Sequence, residues 1–157
     1  MTDSERIAKM FLDERTVVRR SPQVEHERQV AIFDLLEDNC FALLDNPCGP
    51  YHLHLGVSDN RLVFDVRTGD GVKALTFALP VKTFRRVVRD YFLVCESYFE
   101  AIKTKAPSQI EAIDMGRRGL HDEGAELLKE RLASYVTVDK QTSRRLFTLV
   151  CILHIRG

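Results

Sequence analysis

Between residues 51 and 102 the spacing of the apolar residues changes from two to about 3.6, which restricts the chain to folds that set an antiparallel sheet against helices. Residues 51–57, 61–67 and 72–79 alternate or run apolar. They are separated by Asp59-Asn60 and by Gly69-Asp70-Gly71, both turn-forming sets, so a three-stranded antiparallel meander is expected. From Phe84 onward, Phe84, Val87, Val88, Tyr91, Cys95, Tyr98, Phe99 and Ile102 fall three and four apart, as on one face of a helix. The opposite face carries Arg85, Arg89, Glu96, Glu100 and Lys103 but is interrupted by Leu93. Residues 91–95 are apolar all round, and the middle turn is expected to pack on two sides.

The flanking segments add helices and one or two strands. Residues 7–12 allow a short strand. Ser21-Pro22 places an N-cap before a proline at the first helical position, where the missing N–H costs nothing. The helix that follows, over residues 24–37, is expected to show one apolar stripe of Val30, Phe33 and Leu36 with Ala31 and Leu35, and to end near Asn39. Residues 46–50, with two prolines and a glycine, can support neither helix nor central strand and form a loop. Pro107 opens a further helix through Ile113. Gly116-Arg117-Arg118-Gly119 then either breaks it or lets something approach closely, and a helix resumes over residues 120–132. Residues 135–138 alternate like a fourth strand, and Asp139 caps a last helix containing Leu146, Phe147, Leu149, Val150, Ile152 and Leu153.

These elements imply one α+β domain over residues 1–157: a mostly antiparallel sheet, the three-stranded meander plus one or two further strands, covered by four to five helices. With 45% hydrophobic and 29% charged residues, the chain is unlike a disordered one. Lys+Arg 23 balances Asp+Glu 23, so no global field draws nucleic acid or an anionic membrane. The halves differ, however: residues 1–78 carry 9 basic and 13 acidic side chains, residues 79–157 carry 14 and 10, and an anionic partner is expected on the second half. Cys40, Cys48, Cys95 and Cys151 form no Cys-x-x-Cys pair and read as reduced thiols of a cytoplasmic protein. The longest apolar run, residues 146–155, is about half of what crosses a bilayer, so no membrane insertion is expected.

Four segments carry a resemblance: Tyr51-His52-Leu53-His54-Leu55, Arg61-Leu62-Val63-Phe64-Asp65, the run from Pro107 to His121, and Arg144-Arg145-Leu146-Phe147-Thr148-Leu149. On these residues the chain resembles, over nearly its full length, a small uncharacterised protein family of alphaproteobacteria, number two hundred and sixty-two among the uncharacterised families. The resemblance implies a bacterial cytoplasmic protein and brings no established activity, cofactor or catalytic residue.

Among local features, Gly116-Arg117-Arg118-Gly119 is the sharpest, because flanking glycines free the backbone and paired guanidiniums can grip a carboxylate or phosphate bidentately. The plainer reading is a solvated helix break with ordinary surface ion pairs. A nucleic-acid clamp of the Gly-x-x-Gly kind is disfavoured because Asp122 stands where such a helix continues apolar, and Glu123 would repel phosphate. His121, before Asp122 and Glu123, suits acid–base work or a helix N-terminus equally. His52 and His54 share one strand face near Cys48, but a fourth metal ligand is missing, and two histidines on the polar face of a meander explain them better. Nucleophile, phosphate-loop and dinucleotide signatures are absent.

The residues therefore favour a non-catalytic binding or regulatory protein without cofactor or metal. Its candidate binding residues are Gly116, Arg117, Arg118, Gly119, His121, Arg85 and Arg89, and its ligand is expected to be a protein partner; homo-oligomerisation is left open. A small enzyme or small-anion binder built on Arg117, Arg118 and His121, with or without His52 and His54, is the first alternative, and nucleic-acid binding through the Gly-Arg-Arg-Gly turn the second.

Overall fold

A computed structural model describes residues 4–13, 22–45 and 48–154. The element order is β1 (Ile7–Leu12), α1 (Pro22–Glu37), β2 (Phe41–Leu43), β3 (Tyr51–Ser58), β4 (Arg61–Thr68), β5 (Lys73–Pro80), α2 (Lys82–Thr104), α3 (Pro107–Leu132), β6 (Val136–Val138) and α4 (Lys140–Leu153). The class is α+β, as the change of periodicity predicts. The expected N-cap at Ser21 lies outside the described residues, as do Asn46 and Pro47 of the expected loop.

The meander forms because alternation sends every second side chain to one side. Tyr51, Leu53 and Leu55 of β3, Leu62, Phe64 and Val66 of β4, and Phe77 and Leu79 of β5 are all buried. The tight turn between β3 and β4 holds Asp59 and Asn60 at φ 53° and 60°, the left-handed pair that a two-residue hairpin needs and that these residue types tolerate. Phe64 stacks on Phe77 at 4.9 Å between ring centroids, and Phe77 on Tyr135 at 4.2 Å.

The other two strand expectations are resolved differently. β1 joins β3 in parallel and makes the order β1-β3-β4-β5. The strand at Val136–Val138 does not extend this sheet but pairs antiparallel with β2, which the periodicity does not reveal. Asn39 locks β1 to the end of α1: its Oδ1 accepts from the Ile7 N–H at 2.7 Å, and its Nδ2 donates to the carbonyls of Ile7 and Leu35 at 2.9 and 2.7 Å.

α3 packs between α2 and α4, and α1 lies on α4. The stripe of α2 is inward as expected, with Phe84, Val87, Val88, Tyr91 and Cys95 buried. Leu93, however, is 56% exposed, so the middle turn does not pack on two sides. In α1 only Ala31 and Leu35 are buried, while Val30 and Phe33 are exposed; the helix packs on α4 and β1, and the expected stripe is narrower. Asp139 caps α4, its Oδ1 accepting from the Thr142 N–H at 2.9 Å. Leu146 to Leu153, except Thr148, are buried, and Cys95 and Cys151 are small hydrophobes of the same core whose thiol pKa values burial raises. No helix among the described residues is long and apolar enough to cross a membrane.

Candidate functional site

The Gly116-Arg117-Arg118-Gly119 segment neither breaks α3 nor receives a close approach. α3 is one helix over 26 residues, and a Cβ placed on either glycine would meet nothing within 4 Å. An unbroken helix fixes the side chains at three- and four-residue intervals. Asp114, Arg117, Arg118 and His121 accordingly fall on one face. His121 is not at a helix N-terminus but within α3, 9% exposed.

Both arginines have an acidic partner one turn back. Asp114 Oδ1 accepts from Arg117 Nη2 at 2.6 Å and Nε at 2.9 Å, and its Oδ2 lies 3.2 Å from Arg118 Nε. The Arg117 guanidinium lies 5.0 Å from the Tyr98 ring centroid. Burial alone would lower the Arg117 pKa, but Asp114 and the Tyr91 hydroxyl outweigh it and hold the side chain charged. Arg118 stays 57% exposed, with no other partner among the described residues.

Facing this side of α3 across a cavity of about 480 Å3 are α1, through His26, Glu27 and Asp34, and α4, through Arg144, Arg145 and Thr148; Tyr91 of α2 completes the wall. Arg144 is paired with Asp122. Arg145 donates from Nη1 to the Asp38 carbonyl at 2.9 Å, beside the C-terminal end of α1, and has no carboxylate within 4.0 Å among the described residues. Burial raises the Glu27 pKa, and Arg117 and His26 partly oppose it.

His121 is held as a neutral ring. Its Nε2 lies 2.8 Å from Thr148 Oγ1, and that hydroxyl donates to the Arg144 carbonyl at 3.3 Å, so it accepts the Nε2–H. Nδ1 is then a buried acceptor without a partner among the described residues. Burial, reinforced by Arg144 and Arg117, lowers the His121 pKa from 6.5 to about 4. Between these two values the unfolded chain takes up a proton that the folded chain refuses. Stability is therefore independent of His121 above pH 6.5 and falls as the pH drops through the window toward 4. The loss is about 2 kcal/mol by pH 5. Urea unfolding at pH 7 and pH 5 should show this loss, and His121→Gln, which keeps a donor for Thr148, should reduce it by most of that amount; an unchanged pH dependence would show that His121 is protonated in the fold.

The remaining sequence candidates lie elsewhere. Arg85 lines a separate hollow of about 500 Å3 with Asp59, Asn60, Arg61 and Lys82, and Arg89 projects into solvent 3.7 Å from Asp90. The arginine of α2 that reaches α3 is Arg86, through Glu123 at 2.7 Å. His52 and His54 stand on the far face of the sheet, away from the cavity lining, and Cys48 Sγ is 3.1 Å from Ser4 Oγ. Among the described residues no three His, Cys, Asp or Glu side chains cluster as a metal site would require. Sequence reasoning missed Arg144, Arg145 and Glu27 as cavity residues. The four-residue spacing of Arg144 and Thr148, which sets both on one face of α4, was the available signal.

Fold and cavity together define an α+β protein with an arginine-walled, ligand-sized hollow between three helices. The model of the uncharacterised protein family UPF0262 matches residues 4–156, and the chain belongs to that family. It is 57% identical to a UPF0262 protein of Paramagnetospirillum magneticum over the whole of both chains, and 55% identical to one of Rhodospirillum rubrum, covering all of this chain and 97% of the relative. A UPF0262 protein of Rhizobium leguminosarum is 53% identical over 97% of this chain and 96% of its own. No solved structure matches.

Proposed function

We propose that this protein is a non-catalytic binding protein of the bacterial cytoplasm, acting as a single domain, whose cavity between α1, α3 and α4 takes a small ligand bearing a carboxylate or phosphate. What supports the reading is that Arg117, Arg118, Arg144 and Arg145, from two helices, line one cavity. Arg117 and Arg144 are already committed to Asp114 and Asp122. Arg118 and Arg145 are the gripping pair: one is 57% exposed with its Nε 3.2 Å from Asp114, and the other touches a carbonyl and no carboxylate among the described residues. An anion between them would take up the guanidinium N–H donors that these contacts leave over, and planar guanidiniums favour the two-oxygen face of a carboxylate or phosphate. The small-anion alternative thus gains over the expected protein partner, because a hollow of about 480 Å3 has the size of a metabolite site.

Calorimetric titration of the purified protein with inorganic phosphate, sugar phosphates and mono- and dicarboxylates tests this. One of these classes is expected to bind with unit stoichiometry and raise the melting temperature. Arg118→Gln with Arg145→Gln should weaken that binding at least tenfold, while changing stability by no more than about 1 kcal/mol. No binding by any class, or binding that the double variant retains, would overturn the assignment.

A further inference from the structure

The helices cover one face of the four-stranded sheet, and the other face carries an ordered pattern. Strand register places Lys9 beside His52, His52 beside Arg67, and Arg67 beside Lys73. This is one row across β1, β3, β4 and β5 made only of basic and imidazole side chains. The neighbouring row runs Phe11, His54, Asp65, Thr76. In it the Phe11 and His54 rings are stacked, 4.4 Å between centroids and 16° between planes, and Phe11 is 44% exposed. Lys9, Lys73 and Arg61 are exposed as well. Among the described residues, the acidic groups on this face are Asp65, which holds Arg67 at 3.0 Å, and Asp13, whose Cβ lies against Gly56.

We propose that this open sheet face binds single-stranded RNA, with a base stacked on the Phe11–His54 pair and phosphates along the Lys9–His52–Arg67–Lys73 row. Three inter-strand gaps of about 4.8 Å make that row about 14 Å long, enough to follow a stretch of backbone and not one isolated anion. An apolar partner would have to strip water from Lys9, Arg61 and Lys73 without compensation, whereas phosphates supply the opposite charge. An acidic peptide would use the cations but leave the stacked rings unused; a base uses both. Asp65, repulsive toward a phosphate, lies in the ring row, where its carboxylate and the Thr76 hydroxyl can bond a 2′-hydroxyl. DNA lacks that group. Sequence charge argues against nucleic acid, since the net charge is balanced and this face lies in the half with 9 basic and 13 acidic side chains; the proposal rests on the local basic row and the stacked rings, and the site is independent of Gly116–Gly119.

Fluorescence anisotropy of the full chain with a labelled single-stranded RNA, the same sequence as single-stranded DNA, and the RNA duplex provides the test. The single-stranded RNA is expected to bind tightest. Its affinity should drop about 18-fold from 50 to 200 mM salt, the slope for about three phosphates at 0.7 each. Phe11→Ala should weaken binding about tenfold. Lys9→Ala with Lys73→Ala should lower the salt slope by about 1.4. Arg118→Gln with Arg145→Gln should leave binding unchanged, which separates this face from the cavity. Phe11 and both lysines are exposed, so circular dichroism should show an intact fold in every variant. Equal binding of duplex or DNA, an intact Phe11→Ala complex, or equal competition by polyglutamate would each overturn the proposal.

Discussion

Truncating Phe147 to alanine is expected to lower the unfolding free energy by about 3–5 kcal/mol, a large part of what a chain of this size has to spare. Phe147 has no exposed surface and sits where three helices meet. Its ring packs edge-on against His121 at 5.3 Å and Tyr91 at 6.4 Å, and Gly124 of α3 lies directly against it. Removing it leaves a void that helix backbones cannot close without moving α4, and with it Arg144 and Arg145. Urea unfolding should therefore show the stability loss together with weaker binding of the cavity's anion, even at low temperature where the variant is folded. A loss below about 1 kcal/mol would mean that the α3–α4 seam collapses freely, contrary to the close packing at Gly124. Phe147→Leu, which refills most of the space, should recover a good part of both.

How much of this was legible follows from how local each signal is. β3 and β4 were readable because one face is buried and the other wet, which imposes strict alternation on Tyr51–Val57 and Leu62–Val66. The stripe from Phe84 to Cys95 and the Asp139 cap were readable for the same reason, since each is decided within a few residues. β2 was not, because Phe41–Leu43 is too short to show a period and is held by β6, more than ninety residues away. Nor was the exposure of Val30 and Phe33: their apolar character is local, whereas the width of the face that α1 buries depends on where α4 runs.

The candidate site divides in the same way. Arg117, Arg118 and His121 could be singled out by composition, but their partner Asp114 lies one turn toward the N-terminus. Treating Gly116 as a helix break hides that pairing, because the three- and four-residue spacing exists only if the helix continues. Glu27, Arg144 and Arg145 reach the cavity from other elements, and the four-residue spacing of Arg144 and Thr148 is the one hint of it in sequence. The low pKa of His121 is likewise a product of burial between α3 and α4, not of its acidic neighbours Asp122 and Glu123.

The three glycines of α3 offer a sharper test of this reading, because the same substitution should act in opposite directions. At Gly116 and Gly119 an added Cβ would enter open space, and neither has a positive φ. Alanine at either position should stabilise the protein by about 0.5–1 kcal/mol through helix propensity alone. Gly124 is different. A Cβ there would fall inside the van der Waals surface of the Phe147 ring, a fully buried side chain. Gly124→Ala should be destabilising despite the propensity gain. Gly124→Val, bulkier and branched at Cβ, should cost about 3 kcal/mol. Chemical denaturation of the four single variants measures the contrast. Should Gly116→Ala and Gly119→Ala prove as damaging as Gly124→Val, something does approach the Gly-Arg-Arg-Gly segment closely, and the unbroken, open α3 surface described above would be wrong. If Gly124→Val is harmless, Phe147 is not wedged against α3, and the wall that carries His121 and the paired arginines is looser than its contacts indicate.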